Sequence, residues 1–389
     1  MIEVWDTPGG RRWSAPIRAA LSRATCVIAC HPDLQRPGRL VEQVGEWCSA
    51  QRPALQRLVV PPEVAAGART GNLELLAQAV ADSLQLPVSA GTRLAPHDIA
   101  CHENTDGAVL HVDARAEEAA VASTWCAFAA AIAAATKDVP PAERAAVIVH
   151  VTGDPSVEVP ESDTNLRVLW WWGALSPLDL AVLLDEAGRD ALDTATITEV
   201  ARWDVDLAER LATRWDGNPA SLREHIGPAA DHLLAPVVLD GAPGPTPGEA
   251  RALWAAGVVD SWLGRRDRHP SLIDAQAMER RRWHAQVRVV YPWLEELRAE
   301  MALVVAELAA GSHLSSEAVE ELATCELGPL RHLARFEYQL PVSGPVKDVL
   351  DRAVAARNAL AHLSPVDSRT LSSLAAAAAA ARCAPGPLK

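Results

Sequence analysis

The residues TCVIAC (25–30) and DLQRPGRL (33–40) set the architecture of the first half, because they combine a buried strand with the loop behind it. Similar short runs of apolar and β-branched residues recur at Leu58–Val60, Ala108–Asp113, Ala146–Thr152 and Leu166–Trp172. Helical patterns separate these runs at Leu40–Ser49, Leu73–Leu86 and Glu117–Thr136. Near-continuous apolar strands that alternate with helices are typical of a parallel sheet covered on both faces. The first half is therefore predicted to be an α/β parallel-sheet domain.

Length and composition place the chain among folded proteins. It has 389 residues, of which 49% are hydrophobic and 22% charged, and this composition excludes a largely disordered chain. The length predicts two or three domains. The longest uncharged stretch, Ala119–Thr136, is mostly alanine, which favours a helix packed on a sheet over a membrane span. Seven scattered cysteines and the lack of an export signal lead us to expect reduced thiols, a cytoplasmic location and no membrane partner.

Charge is distributed unevenly along the chain. Residues 1–263 carry 20 basic and 35 acidic residues, whereas residues 264–389 carry 16 and 15. The acidic first half should repel nucleic acid, because phosphate binding depends on positive charge. Any contact with RNA or DNA is therefore expected in the second half.

A stretch rich in proline and glycine divides the two halves. Residues 235–248 read APVVLDGAPGPTPG, with four prolines and three glycines. This composition cannot form a helix interior or a central strand. We therefore predict a linker and a domain boundary at 235–248.

The loop after the first strand is where a P-loop NTPase binds phosphate. That loop should carry Gly-x4-Gly-Lys-Ser/Thr, because backbone amides surround the phosphates, the lysine reaches the outer ones and the hydroxyl holds magnesium. Here Asp33 replaces the first glycine, Arg39 the lysine and Leu40 the hydroxyl residue, so only Gly38 remains. Gly38 and Arg39 are degenerate cofactor-binding candidates, and ATP turnover is not expected.

Asp113 ends the third strand, where such enzymes hold a metal-coordinating acid, but Ala114 follows where a catalytic glutamate often stands. An aspartate also commonly ends buried strands, so Asp113 is only a further degenerate candidate. The order of strands, the segment Leu175–Leu184 and the sequence Gly217-Asn218-Pro219 resemble the nucleotide-binding domain of STAND-type, AAA-related ATPases. The resemblance implies an inactive P-loop NTPase-like domain with a helical lid over residues 1–234, with no cofactor and no metal.

The segment 249–276 contains a helix that ends at a glycine, a short strand and a turn. The STAND resemblance implies a small winged-helix-like unit at this position. Such a unit can bind DNA, but in these proteins it more often packs against the ATPase core.

From residue 277 onward the pattern is helical. Apolar residues recur every three or four positions through a first long helix to Leu308, which Pro292 could kink. Further helices are predicted at Ser316–Glu326, Pro345–His362 and Asp367–Arg382. Residues 277–389 are therefore predicted to form an all-α helical bundle.

The third of these helices ends with Arg357-Asn358-Ala359-Leu360-Ala361-His362. Asn358 and His362 are four residues apart and share a helix face, while Arg357 lies about 140° around the helix from His362. A histidine can transfer protons near neutral pH, and an arginine can stabilise a phosphorane. RNA supplies its own 2′-hydroxyl nucleophile, so such a site needs no metal.

This motif resembles the HEPN superfamily, whose ribonucleases carry Arg-x4–6-His with a polar residue often just after the arginine. The resemblance covers roughly residues 277–385 and implies Arg357, Asn358 and His362 as catalytic residues. It also implies a homodimer, or pairing with another HEPN or effector protein. Two alternatives stay open: the three residues could be surface groups of an amphipathic helix, or the domain could serve only in dimerisation or as an adaptor.

Two functional hypotheses follow. In the first, the chain is a metal-independent HEPN-type endoribonuclease of a prokaryotic antiphage or toxin-like conflict system, controlled by its inactive STAND-like module. In the second, it is a non-catalytic scaffold that recruits partner effectors through the NTPase-like and helical domains. DNA-binding regulation through the winged segment ranks third.

Overall fold

The computed structural model of the chain describes residues 3–32, 57–59, 71–87, 92–226 and 249–383, together with Val44, Glu46 and Trp47. The predicted linker at 235–248 and the candidate residues Gly38 and Arg39 lie outside the described residues. Contacts divide the chain into two units, each assembled from separate segments. The first unit comprises residues 1–186, 202–205 and 228–272, and the second comprises 187–201, 206–227 and 273–389.

The described strands and helices are numbered in chain order. The strands are β1 Cys26–His31, β2 Arg57–Val59, β3 Val109–Asp113, β4 Ala146–Thr152, β5 Leu166–Trp170, β6 Val259–Trp262 and β7 Arg265–Arg268. The α-helices before residue 227 are α1 Pro8–Ser22, α2 Leu73–Ser83, α3 Pro96–Ala100, α4 Ala119–Ala135, α5 Pro177–Leu184, α6 Ala191–Ala201, α7 Val205–Arg214 and α8 Leu222–Ile226. The later helices are α9 Glu249–Ala255, α10 Ala275–Ala310, α11 Ser316–Thr324, α12 Leu327–His332, α13 Gly344–Ala361 and α14 Ser368–Cys383.

A five-stranded parallel sheet forms the centre of the first unit. Its order is β2-β3-β4-β1-β5, so the first strand lies between the fourth and the fifth. Every residue of β1 is buried, as expected for a strand covered on both faces. The prediction of an α/β parallel sheet is confirmed.

The alanine-rich α4 packs against β4 and β1. Its small side chains let the helix approach the sheet closely, and Phe128, Ala129 and Ile132 are fully buried. This stretch therefore packs on the sheet, as its alanine content predicts. Within the described part of the chain, no helix combines the length and the apolarity that a membrane span needs.

Residues 249–272 also belong to the first unit. They form α9, the antiparallel hairpin of β6 and β7, and a 3-10 turn at Pro270–Leu272. A helix followed by a hairpin is part of what a winged-helix unit requires, and that finer assignment stays a prediction. We call residues 249–272 the helix–hairpin segment.

The described residues of the second unit form helices joined by loops, with no strand, in agreement with the predicted all-α region. Asp274 caps α10, which continues through Pro292 for 36 residues. Leu294, Leu297 and Met301 of this helix are almost fully buried in a hydrophobic core that also contains residues of α13 and α14. The sequence missed α12 and the π-helical turn Leu333–Glu337 that follows it.

The lid helices predicted after the fifth strand, α6 to α8, fall almost entirely in the second unit. α6 packs along α10, which provides the apolar partner that α6 requires. The division by contacts thus differs from the consecutive boundaries that the sequence suggests.

Candidate functional site

The carboxyl edge of the parallel sheet is the first place to seek a site, because open α/β sheets bind ligands beyond the carboxyl ends of their strands. Asp113 lies here, at the end of β3, as predicted. The Arg115 guanidinium donates hydrogen bonds to both carboxylate oxygens of Asp113, with Nε 2.7 Å from Oδ1 and Nη2 2.8 Å from Oδ2. Burial opposes ionisation of Asp113, but the hydrogen bonds and charge of Arg115 outweigh it and hold the pKa of Asp113 below its usual value. This candidate carboxylate is therefore held by a neighbouring cation.

Three buried histidines form a chain across the sheet near the same edge. His31 Nε2 lies 3.1 Å from His150 Nδ1, and His150 Nε2 lies 3.1 Å from His111 Nε2. The strand register explains this, because it pairs His150 with Ala29 of β1 and with Asp113 of β3. His31 is two residues after Ala29 and His111 is two residues before Asp113. Since side chains two residues apart point to the same face of a strand, all three imidazoles share one face of the sheet.

The environment keeps His31 and His150 neutral. The rings of His31, His111 and His150 are at most 3% exposed. Burial lowers the pKa of His31 to about 3, with a further contribution from the charge of Arg115. Burial also lowers the pKa of His150 well below its usual value, and the neighbouring histidines add to the effect. Because His150 is neutral, one of its ring nitrogens donates and the other accepts. The two hydrogen bonds that link the three histidines therefore point in the same direction.

Tryptophans pack around the first histidine. The Trp13 ring meets the His31 ring edge-on, with centroids 5.3 Å apart. Trp5 and Trp171 each lie within 6 Å of Trp13, at 5.8 and 4.8 Å between centroids. The indole N–H of Trp13 donates to the carbonyl of Trp170 at 3.0 Å. This aromatic cluster fixes α1 against the end of β1.

Arg251 of the helix–hairpin segment holds the loop after β4. Its guanidinium donates to the carbonyls of Gly153 at 3.0 Å, Asp154 at 2.9 Å and Val157 at 2.8 Å. It also lies over the Trp170 ring, 5.0 Å from the centroid. The charge of Arg251 is thus directed at backbone oxygens of the carboxyl edge.

Trp254 reinforces this contact. Its ring is fully buried, and its indole N–H donates to the carbonyl of Trp171 at 3.2 Å. A Cβ on Gly153 would lie 2.2 Å from the Trp254 ring, so only glycine fits there without a shift. The helix–hairpin segment therefore covers the carboxyl ends of β4 and β5 directly.

Asp260 of β6 joins the hairpin to the end of β5. This buried carboxylate accepts hydrogen bonds from the backbone N–H groups of Gly173 at 2.8 Å and Ser261 at 2.6 Å. Burial outweighs these bonds and raises the pKa of Asp260 to about 7. A small cavity beside it is lined by Asp260 together with Asp204 and His269, which pair with each other at 2.9 Å.

The HEPN-like motif lies at the end of α13, in the second unit. Arg357 and Asn358 lie near the end of the helix and His362 directly follows its last residue, with the backbone N–H of His362 donating to the carbonyl of Asn358 at 3.0 Å. The side chains of Asn358 and His362 are exposed. Arg357 is half-buried and pairs with the exposed Glu326 at 2.7 Å. The described contacts include no hydrogen bond between the side chains of Arg357 and His362.

No cluster of three or more potential ligands with metal-binding geometry occurs among the described residues. In the histidine chain, His150 uses both ring nitrogens to bond its two neighbours. The chain matches no protein-family model, no curated protein and no solved structure. The STAND and HEPN resemblances therefore rest on the residues alone.

Sequence reasoning overlooked the histidine chain. Each histidine stands alone inside an apolar strand, where a single imidazole usually means a satisfied core residue. The available signal was that two predicted strands carry a histidine close to their carboxyl ends, and that His31 directly follows the predicted strand Thr25–Cys30.

Proposed function

We propose that the chain is a non-catalytic scaffold of a prokaryotic conflict system, which recruits partner effectors through an inactive STAND/P-loop NTPase-like unit and a helical unit. The observation that carries this proposal is the coverage of the carboxyl edge by Arg251 and Trp254. The antiphage or toxin-like setting and a cytoplasmic location come from the sequence resemblances and composition.

Three features support an inactive NTPase-like unit. The sheet order, with β1 between β4 and β5, agrees with the P-loop resemblance. The loop after β1 lacks the lysine and the hydroxyl that hold phosphate and magnesium. Asp113 is bound by Arg115, and the helix–hairpin segment lies on the edge that a nucleotide would need.

The matching experiment has two arms on the full chain. Titration with ATP and magnesium should show neither hydrolysis nor binding below about 1 mM. Affinity purification from a host that carries the neighbouring genes should recover a partner protein in stoichiometric amount. ATP hydrolysis, or the absence of any stoichiometric partner, would count against the scaffold.

A HEPN-type endoribonuclease is the second candidate, with RNA as substrate and a homodimer or a second HEPN protein completing the site. It is favoured by the exposure of Asn358 and His362 on one helical turn, where a substrate or a second copy could reach both. The ion pair of Arg357 with Glu326 works against it, because an acidic partner competes with phosphate.

RNA cleavage in EDTA tests this candidate. If the site is catalytic, Arg357→Ala and His362→Ala each abolish cleavage, and Glu326→Ala increases it by freeing the guanidinium. Arg352→Ala is the matched control, since Arg352 is exposed on the same helix and bonds Ser373. Cleavage that survives in both motif variants would exclude the site.

A further inference from the structure

A cavity of about 180 Å³ lies within the helical unit. It is bounded by residues at the start of α6, the segment after α7, and the sides of α10 and α14. A single buried water needs only about 10–15 Å³ by the same kind of measure, so the cavity could admit a small organic molecule. It is smaller than the pockets of roughly 300–1,000 Å³ that hold drug-sized ligands.

One wall of the cavity is acidic. Asp190 and Asp193 both line it. Burial and the nearby charge of Asp190 raise the pKa of Asp193, against the opposing charge of Arg189. Nη1 of Arg189 lies 3.4 Å from Oδ2 of Asp193. The shorter hydrogen bonds of Arg189 run from Nε to the Ala212 carbonyl at 2.7 Å and from Nη2 to the Trp215 carbonyl at 2.6 Å. The Asp193 carboxylate is thus under-compensated, and a cationic ligand group would stabilise it.

The wall formed by α10 carries the opposite charge. Arg282 lines the cavity with a side chain that is 12% exposed. One of its terminal nitrogens pairs with Glu279 on the same helix, 2.6 Å away, and a guanidinium has five N–H donors in all. Ser368 and Ser372 of α14 line the cavity beside it. An anionic ligand group would find several donors on this side.

Asp193 and Arg282 each pair with a neighbour on their own side of the cavity, since Asp193 pairs with Arg189 at 3.4 Å and Arg282 with Glu279 at 2.6 Å. Apolar surface from Trp215 and Leu371 also lines the cavity. The indole N–H of Trp215 already donates to the carbonyl of Asn218 at 2.9 Å. Trp215 therefore offers a ligand the apolar surface of its ring.

We propose that this cavity binds a free α-amino acid, with the ammonium group toward Asp193 and the carboxylate toward Arg282. The apolar surface of Trp215 and Leu371 then accommodates the side chain. This site goes beyond the proposed scaffold function, because it gives the helical unit a small-molecule ligand of its own. The proposal is independent of whether the HEPN-like motif is catalytic.

The test is isothermal titration of the full chain with each of the twenty free L-amino acids. At least one should bind with a Kd below about 1 mM. The N-acetyl and the amide derivatives of the best ligand, each lacking one charge, should bind at least about tenfold more weakly. Failure of all twenty to bind, or a derivative that binds as tightly as the parent amino acid, would overturn the proposal.

Variants then locate the site. Asp193→Asn and Arg282→Gln should each weaken binding about tenfold. Arg298→Gln is the matched control, because Arg298 pairs with Glu295 on the same helix in the same i, i+3 arrangement but does not line the cavity. Equal loss in Arg282→Gln and Arg298→Gln would reject the site, and the derivative comparison remains decisive even if a variant does not fold.

Discussion

Trp254 and Gly153 are in direct contact: the indole occupies the position that any larger residue at 153 would need. The contact joins a residue of the helix–hairpin segment to the loop that follows β4. The helix–hairpin segment can cover the carboxyl edge in this way only because residue 153 has no side chain.

Gly153→Ala should therefore loosen the helix–hairpin segment. The added methyl group would overlap the fully buried Trp254 ring, and overpacking of this kind costs about 1–3 kcal/mol. Urea unfolding and limited proteolysis within residues 235–260 would measure the effect. Gly328→Ala is the control, since nothing lies within 4 Å of a Cβ there. Equal stability of the two variants would show that the ring does not rest on this loop.

Arg251→Lys should weaken the same contact. A lysine has one ammonium group and cannot reach three carbonyls at once, as the planar guanidinium does. We expect a loss of about 1–3 kcal/mol in the free energy of unfolding. Arg115→Lys provides a comparison in a local ion pair, where the loss should be smaller. A neutral Arg251→Lys would mean that these carbonyls are satisfied without the guanidinium.

The histidine chain predicts a loss of stability in acid. The unfolded state takes up protons near pH 6.5, whereas folded His31, with a pKa of about 3, does not. The unfolded state therefore binds more protons below pH 6.5, and the stability contribution falls as the pH drops from there toward 3. For His31 alone this amounts to about 2 kcal/mol between pH 6.5 and 5.

Denaturant unfolding of His31→Gln across this pH range isolates the effect. The variant should retain a hydrogen-bonding side chain but lose about one proton from the pH dependence of unfolding. A wild-type slope in His31→Gln would mean that His31 is protonated in the folded state.

Asp260 predicts the opposite pH dependence. Its pKa is raised from 3.8 to about 7 in the folded protein, so the folded state binds more protons between these values. This carboxylate therefore favours folding in acid and disfavours it as the pH rises toward 7. Asp260→Asn, which keeps an oxygen to accept from Gly173, should be at least as stable as the wild type at pH 8. It should also steepen the acid-side loss caused by the histidines, measured by the same unfolding experiments.

The sequence predicts many helices and strands of this fold, because the patterns that mark them involve residues close together in the chain. The apolar run at Thr25–Cys30 predicts β1, and Ser176 followed by Pro177 predicts the start of α5, where the Ser176 side chain and Asp179 form a capping box. Ser315 likewise caps α11. Such signals depend on neighbours within four residues, and a single sequence contains them.

The sequence does not predict how the residues of the candidate sites are arranged in space. The chain from His31 to His111 depends on the register of three strands that are far apart in sequence. The contact of Trp254 with Gly153 joins residues 101 positions apart, and nothing local marks either as a partner. The spacing identifies the motif around Arg357 but not its pairing with Glu326, because Glu326 lies 31 residues earlier in the chain, just before α12.

The two units are interleaved along the chain, and this limits how the protein can be divided. A fragment that ends between residues 226 and 249 would lose Trp254 and Arg251 from the sheet and would retain α6 without α10. It would expose two apolar surfaces that the intact polypeptide hides. Each fragment should therefore be less stable and more prone to associate than the whole chain, because exposed apolar surface promotes association.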